Sequence, residues 1–258
     1  MKMDDGVLEW FRAEIPGMER LRVLTTTRTG GTSPAPFDSL NLADHVGDDP
    51  RCVRENRHRL VAGIGGLPIQ WLAQVHGIEI LEANADTVSR VPEADGAWTG
   101  ASGLALAVLT ADCLPIVIGG VSGSTFAVVH GGWRGLVNGV IPAALKALPE
   151  PGHAAWIGPG IGPGAYEVGA EVLQAVAELG GDAASAILPA GDSVGAEASA
   201  GARVKGRLDL FTLAASQLHA AGIHRVTCER RCTYETPSLY SYRRDGVTGR
   251  MATIAWLA

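Results

Sequence analysis

The sequence predicts a mixed α+β chain in which helices flank central sheets, built as one domain over residues 1–258. Three observations point there. Segments that read as strands and as helices follow one another without the strict βαβα order of a parallel sheet. No stretch reads as a long linker between two domains, and no internal repeat is seen. Hydrophobic residues make up 47% of the 258 residues and charged residues 19%, a composition of a globular chain with a sizeable core.

The elements follow in order. "LRVLTTTRTGG" (21–31) is a β-rich run stopped by two glycines, and "SPAPF" makes a loop. "GDDPRCVRENRHRLVAGIGG" reads as a helix. Asp48 or Asp49 caps it, Pro50 suits its first turn, Val53, Leu60, Val61 and Ile64 share a face, and Gly65 and Gly66 end it. "IQWLAQVHGIEILEA" (69–83) reads as one or two strands around Gly77. "GLALAVLTADCLPIVIGG" reads as a strand and "STFAVVHGG" as another. "LVNGVIPAALKAL" has helical spacing at Leu136, Val137, Val140, Ile141 and Leu145, with Pro142 forcing a kink or a restart. "AAWIGPGIGPG" is a strand running into a Gly/Pro loop, and "VGAEVLQAVAEL" is helical. "GDAASAILPAGDSVGAEASAGARVKG" (181–206), small and polar, reads as a surface excursion. "LDLFTLAASQLHAAG" is an amphipathic helix with Asp209 as its cap. "HRVTCERRC" begins as a strand, and "MATIAWLA" closes the chain as one.

Charge narrows the partners. The net charge is −6 and the pI about 5.6, and no basic cluster offsets that balance, which argues against a nucleic-acid partner. The densest basic stretch, "RENRHR" (54–59), reads as the solvated face of one helix. The N-terminus carries acids where an export signal needs bases and lacks an apolar core segment. The longest apolar run is broken by Asp112, short of membrane-spanning length. A soluble, cytoplasmic protein without a membrane partner is expected. In a reducing cytosol Cys52, Cys113, Cys228 and Cys232 are thiols or metal ligands rather than disulfides, and "CERRC" reads as two reduced thiols.

One run raises a chemical question. "ALAVLTADCLPIVI" is apolar almost throughout, yet holds Asp112 and Cys113. An ionisable pair in a core strand is costly unless hydrogen-bonded, paired or bound to a metal. His76 ends "WLAQVH" and His130 ends "FAVVH", so three soft-metal donors stand in or at the ends of apolar strands that can converge. Two imidazoles and a thiolate suit zinc or copper, and three protein ligands leave a fourth tetrahedral position open, the catalytic pattern. The bland alternative is an inert buried thiol and two hydrogen-bonded histidines. Beyond His130, "GGWRGLVNG" brings Arg134 to the start of a helix, as a surface ion-pair partner or as a recogniser of phosphate or carboxylate. "TTTRTGGTS" with Arg28 forms an anion-friendly loop or an ordinary turn. "SLYSYRRDG" mixes Tyr240, Tyr242, Arg243 and Arg244, a combination able to hold a base and a phosphate.

The motifs "TTTRTGGTSPAPFDSLNLADHVGDDPRCVRENR", "WLAQVHG", "TADCLPIVI", "VVHGGWRGLVNG", "IGPGIGPGAYEVG" and "YSYRRDGVTGRMA" occur in an order that resembles the laccase-domain or YfiH-like family, long labelled multicopper polyphenol oxidoreductases. The resemblance implies a single-domain, layered α/β/β/α sandwich with mixed sheets and assigns the metal ligands to His76, Cys113 and His130. It implies a zinc-dependent purine nucleoside enzyme. The family's reported activities are phosphorolysis of adenosine, inosine, guanosine and methylthioadenosine, with adenosine deamination. Two further activities attach to the family: editing of UDP-MurNAc-linked peptidoglycan precursors by a zinc amidohydrolase, and copper-dependent phenol oxidation. For phosphorolysis, Arg28, Arg134 and Arg243 are the phosphate candidates, and Asn41 the candidate for a ribose hydroxyl or base edge. Asp112 is either a proton shuttle or the carboxylate that orients a histidine. Gly131 stands where the family more often has Ala. The chain's seven histidines (His45, His58, His76, His130, His153, His219 and His224) include no H-x-H pair, a poor supply for several coppers. A non-enzymatic binding protein would instead close the zinc with a fourth ligand from Cys52, Cys228 or Cys232.

Overall fold

The computed structural model describes residues 8–189 and 205–258. In chain order the elements are β1 (Trp10–Ala13), β2 (Leu21–Thr26), α1 (Pro50–Gly63), β3 (Ile69–Gln70), β4 (Ile80–Glu82), β5 (Gly96–Thr99), β6 (Ala105–Thr110), β7 (Leu114–Gly120) and β8 (Phe126–Gly131). Then come α2 (Trp133–Asn138), α3 (Val140–Ala147), β9 (Gly152–Ile157), β10 (Glu167–Gly169), α4 (Ala170–Ala177), a 3₁₀ turn (Gly181–Ala186) and β11 (Ile187–Leu188). The chain closes with β12 (Lys205–Leu208), α5 (Leu210–Ala220), β13 (Arg225–Cys228), α6 (Tyr242–Asp245) and β14 (Met251–Leu257).

The strands form three sheets, ordered β1-β2-β14-β6-β3, β13-β9-β7-β8-β5-β4, and a small β10-β12-β11. The two large sheets are mixed. β3 runs parallel to β6 in the first, and β13 to β9 and β4 to β5 in the second, while their other pairings are antiparallel.

Period-two alternation sorts the side chains into layers. On β6, Leu106 and Val108 pack with Val117, Phe126 and Val128 of the second sheet, so this cluster lies between the sheets. The opposite parity on the first sheet, Ala105, Ala107, Leu109 and Ile254, packs on Leu60 of α1 and on Ile64. The opposite parity on the second sheet, Ile116, Ile118, Ala127 and Val129, packs on α2 to α5 through Leu136, Ile141, Val176 and Phe211. The result is helix, sheet, sheet, helix. Each large side chain sealed in these layers contributes about 1.5–3 kcal/mol of hydrophobic stabilisation.

Several sequence expectations hold at the level of local chemistry. Asp49, not Asp48, caps α1, accepting the Arg51 N–H at 2.8 Å. Gly66 then returns its N–H to Val61 O at 2.8 Å to stop the helix. Asp209 caps α5 by accepting the Phe211 and Thr212 N–H groups. The α2–α3 helix breaks at Gly139, whose φ of 94° is the left-handed conformation glycine adopts freely. Pro142 sits in the first turn of α3, where no backbone hydrogen bond is lost.

Other expectations are corrected. "GLALAVLTADCLPIVIGG" is two strands in different sheets, β6 and β7, because both are buried on both faces and an unbroken apolar run does not mark a change of layer. "IQWLAQVHGIEILEA" is two strands around Gly77, as the sequence allows, but β3 and β4 belong to different sheets and His76, expected at a strand end, lies in the loop between them. The excursion expected over 181–206 begins with the 3₁₀ turn and β11, which bury Ala183 and Ala186 against the helix layer. It ends in β12, and residues 190–204 lie outside the described residues. "RENRHR" is not wholly solvated: Asn56 is fully buried, and Arg57 lies 4.4 Å over the Trp71 ring.

Candidate metal centre

Asp112 and Cys113 occupy the turn where the chain leaves the first sheet and enters the second, so they never interrupt a strand. Asp112 has φ 101°. His76, in the loop between β3 and β4, has φ 60°, and these two are the non-glycine residues with positive φ among the described residues. Left-handed backbone costs a side-chain-bearing residue on the order of 1–3 kcal/mol and persists where surrounding contacts enforce it. Here both instances fall on or beside proposed metal ligands. His130 alone of the three donors lies within a strand. It follows Phe126 and Val128 on the face of β8 that looks between the sheets, so the site sits at the end of the inter-sheet layer.

What holds His76 in place is Asp95, a fully buried carboxylate just before β5. It accepts the backbone N–H groups of Val75 (3.1 Å), His76 (2.9 Å) and Gly77 (2.6 Å). The same carboxylate lies 2.8 Å from His130 Nδ1, and the His130 N–H donates to the Asp95 carbonyl at 2.7 Å. The histidine-orienting carboxylate is therefore Asp95, which corrects that reading of Asp112. Burial opposes the Asp95 charge, yet these donors, His130 first, hold it below the usual carboxylate range.

The three donors converge. Their ligand atoms all lie within 4.8 Å of one another. Cys113 Sγ is 3.9 Å from His76 Nε2, and the two imidazole rings meet edge to face with centroids 4.8 Å apart. Burial works against a thiolate, but His130 and His76 outweigh it and bring Cys113 down to about 6. Burial also works against an imidazolium at His130, but the Cys113 thiolate and Asp95 outweigh that and push it up to about 9. Both shifts favour a thiolate–imidazolium pair in the metal-free site.

The donor set fits a soft or borderline metal. Zinc bonds of about 2.0–2.3 Å to N and S require tetrahedral edges of roughly 3.5 Å, within a small side-chain rotation of the spacing present. Asp95 occupies Nδ1 of His130 and leaves Nε2 to face the site. Gly132 keeps the space clear. A Cβ there would stand 2.8 Å from His76 Cδ2 and 3.1 Å from Cys113 Sγ. The group could hold a metal ion, and Cys52, Cys228 and Cys232 are not part of it.

The centre lines a cavity of about 520 Å³ whose wall also includes Arg134, Arg243, Arg250, Trp133, Tyr166 and Tyr242, within the size range of small-molecule sites. The Arg134 guanidinium stacks on Trp133 at 4.5 Å and has no ion-pair or hydrogen-bond partner among the described residues. Arg243 lies 5.1 Å over the Tyr166 ring and donates from Nη1 to the Glu167 carbonyl. Burial holds the Tyr166 phenol above its usual range, so it stays neutral.

Asp112 lines the same cavity, but both its oxygens are engaged by protein donors: the Thr233 hydroxyl at 2.6 Å and the Arg243 N–H at 2.7 Å. It fastens the start of α6, and with it Arg243. Arg28 lies outside the cavity wall. It is bound to the Asp38 carbonyl and carboxylate and stacked 4.8 Å over Tyr240, so the expected phosphate contact is replaced by an internal one. Asn41 is fully buried. Its amide donates to the Ala43 carbonyl and Asp48 and accepts from the Ala43 and Arg250 N–H groups, leaving nothing to offer a ribose or base edge.

Sequence reasoning missed Asp95 and Arg250. Each has a faint signal, a charge immediately before an apolar strand in "EADGAW" and in "GRMATIAW". Neither signal reveals a partner, because the contacts span distant parts of the chain.

Known proteins share this architecture. The family described as multi-copper polyphenol oxidoreductase laccase matches residues 22–258. A purine nucleoside phosphorylase of Pseudomonas aeruginosa is 43% identical over 253 residues, covering 96% of this chain and 98% of the relative. The purine nucleoside phosphorylase YfiH of Escherichia coli is 38% identical over 247 residues, covering 94% and 96%. The crystal structure of a Neisseria meningitidis protein superposes with TM-score 0.86 at 36% identity, covering 96% and 98%. That of YlmD from Geobacillus stearothermophilus gives 0.81 at 31% identity, covering 96% of each chain. Likeness of this extent in both sequence and layers makes the chain a member of the multi-copper polyphenol oxidoreductase laccase family.

Proposed function

We propose that the chain is a zinc-dependent purine nucleoside phosphorylase acting on adenosine, inosine, guanosine and methylthioadenosine. One observation carries the reading: a single cavity joins a His-Cys-His donor set to three guanidinium groups and the faces of aromatic rings. The relatives named as purine nucleoside phosphorylases support it. So does the donor count, since His76, Cys113 and His130 are the one such group among the described residues, too few for a cluster of coppers.

When bound by His76, Cys113 and His130, zinc supplies a Lewis acid that polarises a coordinated oxygen or nitrogen. The remaining tasks fall to the chain itself. Phosphorolysis needs an anion held at the ribose C1′. The unpartnered Arg134 guanidinium and the free edge of Arg243 are suited to it, as planar forks that match phosphate oxygens. Asp112 acts through Arg243 by fixing its backbone. Tyr242, 60% exposed, offers a ring face against which a purine stacks.

Incubation of the zinc-loaded protein with inosine, with and without phosphate, tests the reading. Hypoxanthine and ribose 1-phosphate should appear together and only with phosphate. Base release at an equal rate without phosphate would overturn it. Ammonia release from adenosine, measured in parallel, reports the deaminase activity.

A further inference from the structure

A buried polar network supports one wall of the metal-centre cavity. Ser33, Asn41, Asp48 and Asn56 are all buried in a connected hydrogen-bond network, and none of the four lines the metal-centre cavity. Asp48 Oδ2 accepts from the Ser33 hydroxyl at 2.6 Å and from the Asn41 amide at 2.9 Å. The Asn56 amide donates to Ser33 Oγ, the Ser39 carbonyl and the Asn41 carbonyl, and its oxygen accepts the Thr32 N–H. Fully satisfied buried polar networks fix one backbone conformation at the expense of the desolvation they entail.

What this network fixes is a short projecting loop. Asn41 binds both backbone groups of Ala43, and Asp48 Oδ1 accepts the Asp49 N–H at 2.8 Å, so the loop is pinned at both ends. Between the pins stands His45, its side chain 60% exposed, on the wall of the metal-centre cavity. Asp44 lies 3.6 Å from its Nδ1 and 3.5 Å from Arg57. The network also reaches the cavity a second time, through the Arg250 N–H held by Asn41. An exposed imidazole on a rigid support at the rim of a reactive cavity is an arrangement for chemistry. It is also the one imidazole of that wall outside the His-Cys-His group.

We infer that His45 is the proton donor to the departing purine, an inference that rests on the phosphorylase reading. The C1′–N9 bond breaks with its electron pair on the base, a phosphate oxygen forms the new bond to C1′, and a proton passes from the His45 imidazolium to N7 of the base. Hydrogenphosphate enters with one proton that ribose 1-phosphate does not keep, and this proton restores His45. An imidazole can donate and accept in turn, as these two transfers require.

The test compares inosine with 7-methylinosine in the zinc-loaded wild type and His45→Gln, at saturating phosphate. The N7 methyl group makes the purine a leaving group that needs no proton. His45→Gln is expected to lower kcat on inosine by about a hundredfold or more, the usual loss of a general acid, and to leave 7-methylinosine within about threefold of wild type. Retained turnover of 7-methylinosine also shows that the variant folds. An equal loss on both substrates, or no loss on either, overturns the role of His45 while leaving the phosphorylase reading intact. Failure of the wild type to cleave either substrate with phosphate overturns both.

Discussion

His130 Nδ1 and Asp95 Oδ1 lie 2.8 Å apart, and the same carboxylate accepts three successive backbone N–H groups around His76. One buried side chain thus sets the orientation of one imidazole and the left-handed backbone of the other. Asp95→Asn replaces an all-acceptor group by one that must present an N–H to at least one of these donors. Zinc affinity, measured by chelator competition, is expected to fall about 10–100-fold. Unchanged affinity would show that Asp95 serves the fold alone.

Gly132 supplies a second check on the site, independent of hydrogen bonding. Its φ of −74° and ψ of 158° suit any residue, so Gly132→Ala introduces no backbone strain. The new methyl group would instead press on His76 and Cys113. The variant should fold with a thermal transition close to wild type but bind zinc at least about tenfold more weakly. Wild-type zinc affinity in this variant would mean that the metal lies elsewhere.

The metal-free centre has a spectroscopic consequence. His130 and His76 hold Cys113 down at about 6 against its burial, and the Cys113 thiolate and Asp95 push His130 up to about 9. The proton that leaves the thiol on folding resides on the imidazole, so between these two values the pair binds one proton, as it does in the unfolded chain above the ordinary histidine pKa. Stability should vary little with pH there on this pair's account. Ultraviolet thiolate absorbance of the metal-free protein should persist down to about pH 6 and vanish in Cys113→Ser. A thiolate that forms only above about pH 8, as in a free cysteine, would contradict the pairing.

Arg134 makes no polar contact within the described chain, so its removal should spare the fold. Arg134→Ala is expected to change stability by less than about 0.5 kcal/mol and to raise KM for phosphate about tenfold or more. Arg134→Lys should recover only part of that loss, since an ammonium cannot reproduce the planar fork. An unchanged phosphate KM would remove Arg134 from the anion site.

Much of this was legible in the sequence, and the limits have physical causes. Local chemistry read well: the proline-started helix capped by one of its two leading aspartates, the capped α5, the closing strand, and the apolar strand that carries His130 near its end. Contacts between distant segments did not. A run buried on both faces looks the same whether it stays in one sheet or crosses to the next, which concealed the turn that exposes Cys113 to the cavity. Asn41 carries a polar amide amid apolar neighbours, and in the fold that amide serves the buried network beneath the loop that bears His45. Asp95 could be recognised only once β5 and β8 were known to lie side by side.

The most direct measurement is the zinc content per chain of wild type beside Cys113→Ser after removal and reloading of the metal. The expected result is one zinc per wild-type chain and little in the variant, with phosphate-dependent base release lost in parallel. Full zinc retention by Cys113→Ser, or base release that persists in the metal-stripped protein, would contradict the assignment of the centre.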